Sequence, residues 1–201
     1  ANAARPPIPS DPAGICKGLT SLLATGQLPC HHLSQWPGDH AWARQERQIL
    51  VSDYSIREDD LTSPEVLELL QLHLDEMYAW SPPETVHALP PERLREDDVT
   101  FYSAWDEGKL AAVGALKVLG DGRGELKSMR AAPEFRGKGA GKAMLVHLMD
   151  EAERRGYCWL GLETGRPAPF QPAVKLYESF GFGECEPFAE YASNDFSMCM
   201  S

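Results

Sequence analysis

The stretch GELKSMRAAPEFRGKGAGKAMLVHLM, Gly124 to Met149, decides how this chain is read. From Glu125 to Arg130 the residues alternate as in a strand, with Leu126, Ser128 and Arg130 on one side and Glu125, Lys127 and Met129 on the other. Pro133, within Ala131 to Phe135, breaks that strand. Arg136-Gly137-Lys138-Gly139-Ala140-Gly141 follows. Ala143, Met144, Val146, His147, Leu148 and Glu151 then divide into the apolar and polar faces of a helix expected over 142–156. A strand, a glycine-rich turn and a helix start together form an anion site. The first helical N–H groups have no intrahelical acceptor, and the helix dipole is positive there. Arg136 and Lys138 add charge, and a pyrophosphate is the natural occupant. A bare glycine cluster would read rather as a tight turn with two solvated basic residues; the matching flanks favour the anion site.

The motif narrows which pyrophosphate. A nucleoside-triphosphate loop requires Gly-Lys-Ser/Thr, and here Lys142 precedes Ala143. A dinucleotide fold requires G-x-G-x-x-G directly after a strand, whereas Gly137, Gly139 and Gly141 follow an irregular link.

Composition sets the outer bounds. The chain has 201 residues, 43% hydrophobic and 24% charged, and suits one domain with an appendage. A formal net charge of −11 argues against general affinity for nucleic acid or an anionic membrane, and sets the basic 130–142 region apart. It also fits, weakly, a small cationic acceptor drawn inward. The five cysteines are scattered, odd in number and without CxxC, so reduced thiols in a cytoplasmic protein are expected and no metal site. Cys30, His31, His32 and His40 lack paired ligand spacing and read as loop. No apolar run has the length of a membrane span, and no charged start with a long apolar centre marks a signal peptide.

In chain order, residues 1–12 are a proline-rich tail, and short helices are expected over 14–25 and 41–48. A strand is expected over 49–57. A helix begins after Asp60 to Thr62, with Thr62 and Glu65 as a capping box, and ends at Ser81. Its apolar face includes His73, read as a packed histidine. Strands over 99–105 and 109–119 flank the turn Asp106-Glu107-Gly108, and 120–124 is a second turn. After the central helix come a strand over 157–164, parallel to the 125–130 strand, a helix over 173–180, and closing strands over 182–188 and 194–200.

The loop resembles the R/Q-x-x-G-x-G/A element of the GNAT acyltransferase superfamily, met at Arg136, Gly139 and Gly141. The segment Leu176-Tyr177-Glu178-Ser179-Phe180-Gly181-Phe182 resembles that family's LYxxxGF segment. The resemblance covers residues 49–201, leaving 1–48 as an N-terminal extension. It implies an α/β fold with a mixed, mostly antiparallel sheet, helices on both faces and splayed parallel central strands. It also implies acetyl-CoA as co-substrate, an amine acceptor and direct transfer. Under it, Arg136, Gly137, Lys138, Gly139, Ala140, Gly141 and Lys142 match the pyrophosphate loop, and Met129, Arg130 and Ala131 match the backbone that holds the pantetheine arm. Met77, Tyr78, Trp80 and His87 become acceptor-side candidates, although each also reads as ordinary filling. Tyr177 falls where the family carries its general acid. A base is needed to free the amine; Glu163, at the end of its strand near the splay, is preferred, with Glu125 or a water relay as alternatives. Lys127 is also a structural partner for either carboxylate. A homodimer is compatible with this reading. Two rival readings stay open: a non-catalytic acyl-CoA-binding module on the same scaffold, and an NTP-binding protein.

Overall fold

The computed structural model describes residues 54–201. The tail, the helices expected over 14–25 and 41–48, the His31/His32 loop, the 48/49 boundary and the start of the 49–57 strand lie outside them.

Within those residues the elements are β1 (Ser55–Glu58), α1 (Pro64–Trp80), β2 (Val99–Asp106), β3 (Lys109–Gly120), β4 (Arg123–Ala131), α2 (Ala140–Arg154), β5 (Trp159–Gly165), α3 (Gln171–Ser179), β6 (Glu184–Cys185) and β7 (Ser197–Met200). They build a seven-stranded sheet of order β1-β2-β3-β4-β5-β7-β6, antiparallel throughout except for the parallel β4–β5 pair. The expected mixed, mostly antiparallel sheet is therefore present.

Local chemistry explains most boundaries. Glu107 and Gly108 both have positive φ, the geometry of a two-residue hairpin between right-twisted strands. Asp121 and Gly122 do the same between β3 and β4, so the expected turn over 120–124 shrinks to two residues. The expected capping box does not form. The Asp60 carboxylate instead takes both the N–H (3.1 Å) and hydroxyl (2.6 Å) of Thr62, and α1 starts with Pro64 in its first turn. The central helix begins earlier than residue 142, because Gly139 adopts φ +91° and serves as its N-cap. The closing strands are shorter than expected. Pro187 has no N–H to donate, and the Asn194 side chain takes the N–H groups of Phe196 (2.9 Å) and Ser197 (2.6 Å). Residues 186–196 thus form a loop between β6 and β7.

The strict alternation read over 125–130 fails at one residue, with consequences for the site. Lys127 lies opposite Ala115 and Arg130 opposite Val113, so β4 spends three residues where β3 spends two. Ser128, at φ +51°, is the bulged residue. Arg130 is thereby turned onto the face of Lys127, where it meets Glu76 of α1. Met129 moves to the opposite face: its sulfur, Met144 and Leu148 of α2 crowd the side of Gly114. Helices α1 and α2 accordingly cover opposite faces of the sheet. Met144, Leu145 and Leu148 are fully buried on the α2 side, and Val66 and Leu70 on the α1 side.

Pairing between β4 and β5 runs only from Arg123↔Trp159 to Glu125↔Gly161. Beyond it β4 continues to Ala131, while β5 pairs with β7 through Gly165↔Ser197. The sheet is therefore split between its two parallel strands.

Candidate active site

The split is where two cavities meet. The larger, a groove of ≈ 500 Å³, is lined at one end by Arg136, Gly137, Gly139, Gly141 and Lys142, and at the other by Met129, Arg130, Ala131, Trp80 and Tyr177. Gly137 (φ +74°) and Gly139 (φ +91°) are left-handed, and a Cβ at either would meet nothing within 4 Å. Backbone at these positions therefore faces open space. The first intrahelical bond of α2 runs from the Ala143 N–H to the Gly139 carbonyl (2.9 Å), which leaves the amides before it as the unpaired donors of the helix start. Two residues of the expected loop set lie elsewhere. Ala140, the first residue of α2, is fully buried, and Lys138 extends over the Phe135 ring (5.6 Å) while its carbonyl accepts the Tyr54 hydroxyl (2.8 Å).

The smaller cavity, ≈ 150 Å³, shares Trp80, Met129, Arg130 and Tyr177 with the groove and extends past Lys127 to Glu163. Met77, Trp80 and His87, three of the acceptor-side candidates, line it. Tyr78 does not: it is 61% exposed, because one helical step past Met77 turns it about 100° away from the face that carries His73, Met77 and Trp80.

The three candidate acid–base groups are placed differently. Glu125 is 2% exposed and does not line the cavity. Its carboxylate pairs with Lys127 (3.3 Å) and accepts the hydroxyl of Tyr191. Lys127 also donates to the Tyr191 oxygen (2.7 Å) and to the His87 carbonyl (3.1 Å). Lys127 therefore joins Glu125, one of the two partners its sequence position allowed. Glu163 does line the cavity, and burial raises its carboxyl above the ordinary value, partly opposed by the neighbouring Ser197 hydroxyl, His87 and Lys127. Tyr177 stands where groove and cavity join, and burial pushes its phenol up.

Sequence reasoning missed Tyr191 and Glu76. Tyr191 sits in the 186–196 loop, where no periodicity points inward. Its ring meets His87 edge-on at 5.0 Å and Phe188 at 5.2 Å, and it holds the Glu125–Lys127 pair from outside the sheet. Glu76 bonds Arg130 and also Arg136 (3.1 Å), tying β4 to the glycine-rich loop.

His73 is packed, as expected, but it also borders the smaller cavity. Burial and the nearby Arg130 charge pull its pKa from 6.5 to about 4, with Glu76 opposing. Between those values the unfolded chain binds a proton that the folded chain refuses. Stability contributed this way is intact above pH 6.5 and falls as pH drops toward 4. At about 1.4 kcal/mol per unit the loss reaches about 3 kcal/mol. Urea unfolding at pH 7 and pH 4.5 should show a smaller acid loss in His73→Leu than in the parent. Equal losses would remove His73 as the cause. Glu163 pulls stability the opposite way, and the paired comparison cancels it.

Residues 66–182 match the acetyltransferase (GNAT) family model. The chain is 51% identical over 146 residues to an uncharacterized N-acetyltransferase of Bacillus subtilis (YsnE), covering 73% of this chain and 97% of that protein. It is 44% identical to an uncharacterized N-acetyltransferase of Escherichia coli (YedL), over 74% of this chain and 93% of that one. Among solved structures, an acyl-CoA N-acyltransferase of Klebsiella pneumoniae, so assigned provisionally, superposes with a TM-score of 0.59 at 27% identity, covering 73% of this chain and 94% of the other.

Proposed function

The chain belongs to the acetyltransferase (GNAT) family and is an acetyl-CoA-dependent N-acetyltransferase; on that premise we propose that it transfers acetyl directly to a small amine, with Glu163 as base and Tyr177 as acid. One observation carries the reading: the groove that holds the glycine cradle shares Trp80, Met129, Arg130 and Tyr177 with a cavity lined by Glu163, a half-buried carboxylate with a raised pKa.

The groove fits the thioester substrate. Its diphosphate needs closely approaching N–H donors and flanking cations, which Gly137, Gly139, Arg136 and Lys142 supply. The bulged edge of β4 from Met129 to Ala131, left unpaired by β5, offers backbone groups to an extended arm. An incoming ammonium must lose a proton before it attacks a carbonyl. A carboxylate whose pKa lies above the usual range takes that proton more readily near neutral pH. The departing thiolate gains from a donor at its sulfur. Tyr177 is held protonated by burial and stands at the junction where that sulfur would lie. Two of the acceptor-side residues, Met77 and Trp80, wall the cavity from α1; His87 does so from the loop beyond it.

The reading is tested first by calorimetry with acetyl-CoA and with ATP plus Mg²⁺, then by thiol release across a panel of amines. We expect acetyl-CoA to bind, ATP not to compete, and thiol release to depend on an amine. Acetyl-CoA binding with no turnover on any amine would leave a binding module rather than an enzyme. In Gly139→Val, a branched side chain at φ +91° costs about 1–3 kcal/mol of backbone strain and projects into the cradle. Acetyl-CoA should bind about 10- to 100-fold more weakly while the protein stays folded. Unchanged affinity in a folded variant would end the diphosphate assignment.

A further inference from the structure

Among the described residues five buried side-chain polar atoms have no hydrogen-bond partner. Three of these belong to residues that line the smaller cavity: His73 Nδ1, Ser128 Oγ and Arg130 Nε. The residues come from two elements. His73 belongs to α1, while Ser128 and Arg130 belong to the bulge of β4, whose extra residue turns Arg130 toward α1. A buried polar group without a partner costs about 1–3 kcal/mol, so three around one small cavity mark a place where a bound group would be strongly favoured. Arg130 Nε–H can only donate, the serine hydroxyl donates, and a neutral imidazole donates from one nitrogen. Oxygens that only accept satisfy all three together. The charge balance agrees: Glu76 is shared by two guanidiniums, Arg130 and Arg136, which leaves that trio one positive charge in excess. Lys127, by contrast, is already engaged by Glu125, Tyr191 and the His87 carbonyl. The carboxylate among the cavity's lining residues is Glu163, on β5.

Resting on the acetyl-transfer reading above, we propose that the acceptor is a small amine that also carries a carboxylate, of the α-amino acid type. Its carboxylate is held by Arg130, Ser128 and His73, and its amine meets Glu163. The local donor set outweighs the protein's overall charge of −11, which by itself favours a cationic acceptor. His73 stays neutral at working pH, being pulled to about 4, and so acts as a hydrogen-bond donor rather than as a competing charge. The cavity of ≈ 150 Å³ suits a compact acceptor over an extended polyamine.

The test uses the full chain and follows thiol release from acetyl-CoA with matched acceptors: α-amino acids, their primary amides and the corresponding decarboxylated amines. Because a hydrogen-bonded charge is being removed, kcat/KM should be about 10- to 100-fold higher for the acids than for either analogue, mainly through KM. Ser128→Ala and His73→Leu should each narrow that ratio, lowering kcat/KM for the acids by more than for the amides or the decarboxylated amines. Two variants guard against one failing to fold. Amides or decarboxylated amines turned over as well as the acids would overturn the inference and leave the transferase reading standing. Acetyl-CoA binding with no turnover of any acceptor would sink both.

Discussion

Glu163→Gln should lower kcat by about 10²- to 10⁴-fold, the range for loss of a positioned general base, with acetyl-CoA affinity retained. The substitution keeps size and most hydrogen bonding but cannot take a proton. Glu163 lines the smaller cavity, whereas Glu125 is sealed beneath Lys127 and Tyr191, so the geometry favours the carboxylate that its place at the end of its strand already preferred. The pH dependence supplies a second readout. The base works only when deprotonated, and burial raises its pKa, so activity should rise with pH along an acid limb displaced above the ordinary carboxylate value of 4.5. In Glu163→Gln that limb should disappear together with the rate. A variant that loses rate but keeps the limb would assign the titration to another group, and a fully active variant would remove Glu163 from the chemistry.

What the sequence could and could not reveal follows from the range over which each signal acts. The glycine-rich helix start, the β-hairpins and the parallel strand after α2 are written in local residue order, through positive-φ glycines and short periodic runs. They were read with errors of a few residues at the ends. The bulge at Ser128 was illegible, since alternation is the only local signal in that strand and a bulge shows itself only against β3. Two facings followed wrongly from it, those of Met129 and Arg130. Tyr191 and Glu76 were missed for a related reason. Each acts on residues 54 to 66 positions away, through contacts that exist only once the chain has folded. Tyr78 was the opposite error. The resemblance placed it on the acceptor side with Met77 and Trp80, and a helix places neighbours about 100° apart.

The largest effect on stability should come from Lys127→Met. Lys127 and Glu125 have side chains only 8% and 3% exposed, and the lysine supplies the cation against a carboxylate that water cannot reach. Removing one member of a buried pair leaves the other charge uncompensated, a loss of about 3–5 kcal/mol. For a chain of this size that corresponds to a fall of roughly 6–20 °C in Tm. The double variant Lys127→Met, Glu125→Gln removes both charges and keeps an acceptor for the Tyr191 hydroxyl. It should recover most of the loss, because a buried ion pair and a neutral replacement of similar volume are often close in energy. Coupling of this size needs direct contact, so the comparison isolates the pair from general packing damage. If the single and double variants melt together, the cost lies in filling the space of the lysine stem, and the Glu125–Lys127 pair contributes nothing of its own. If only the single variant falls, Glu125 is a structural anion whose charge is spent on holding β4 and the 186–196 loop together. The proton of the acceptor is then left to Glu163, across the split on β5.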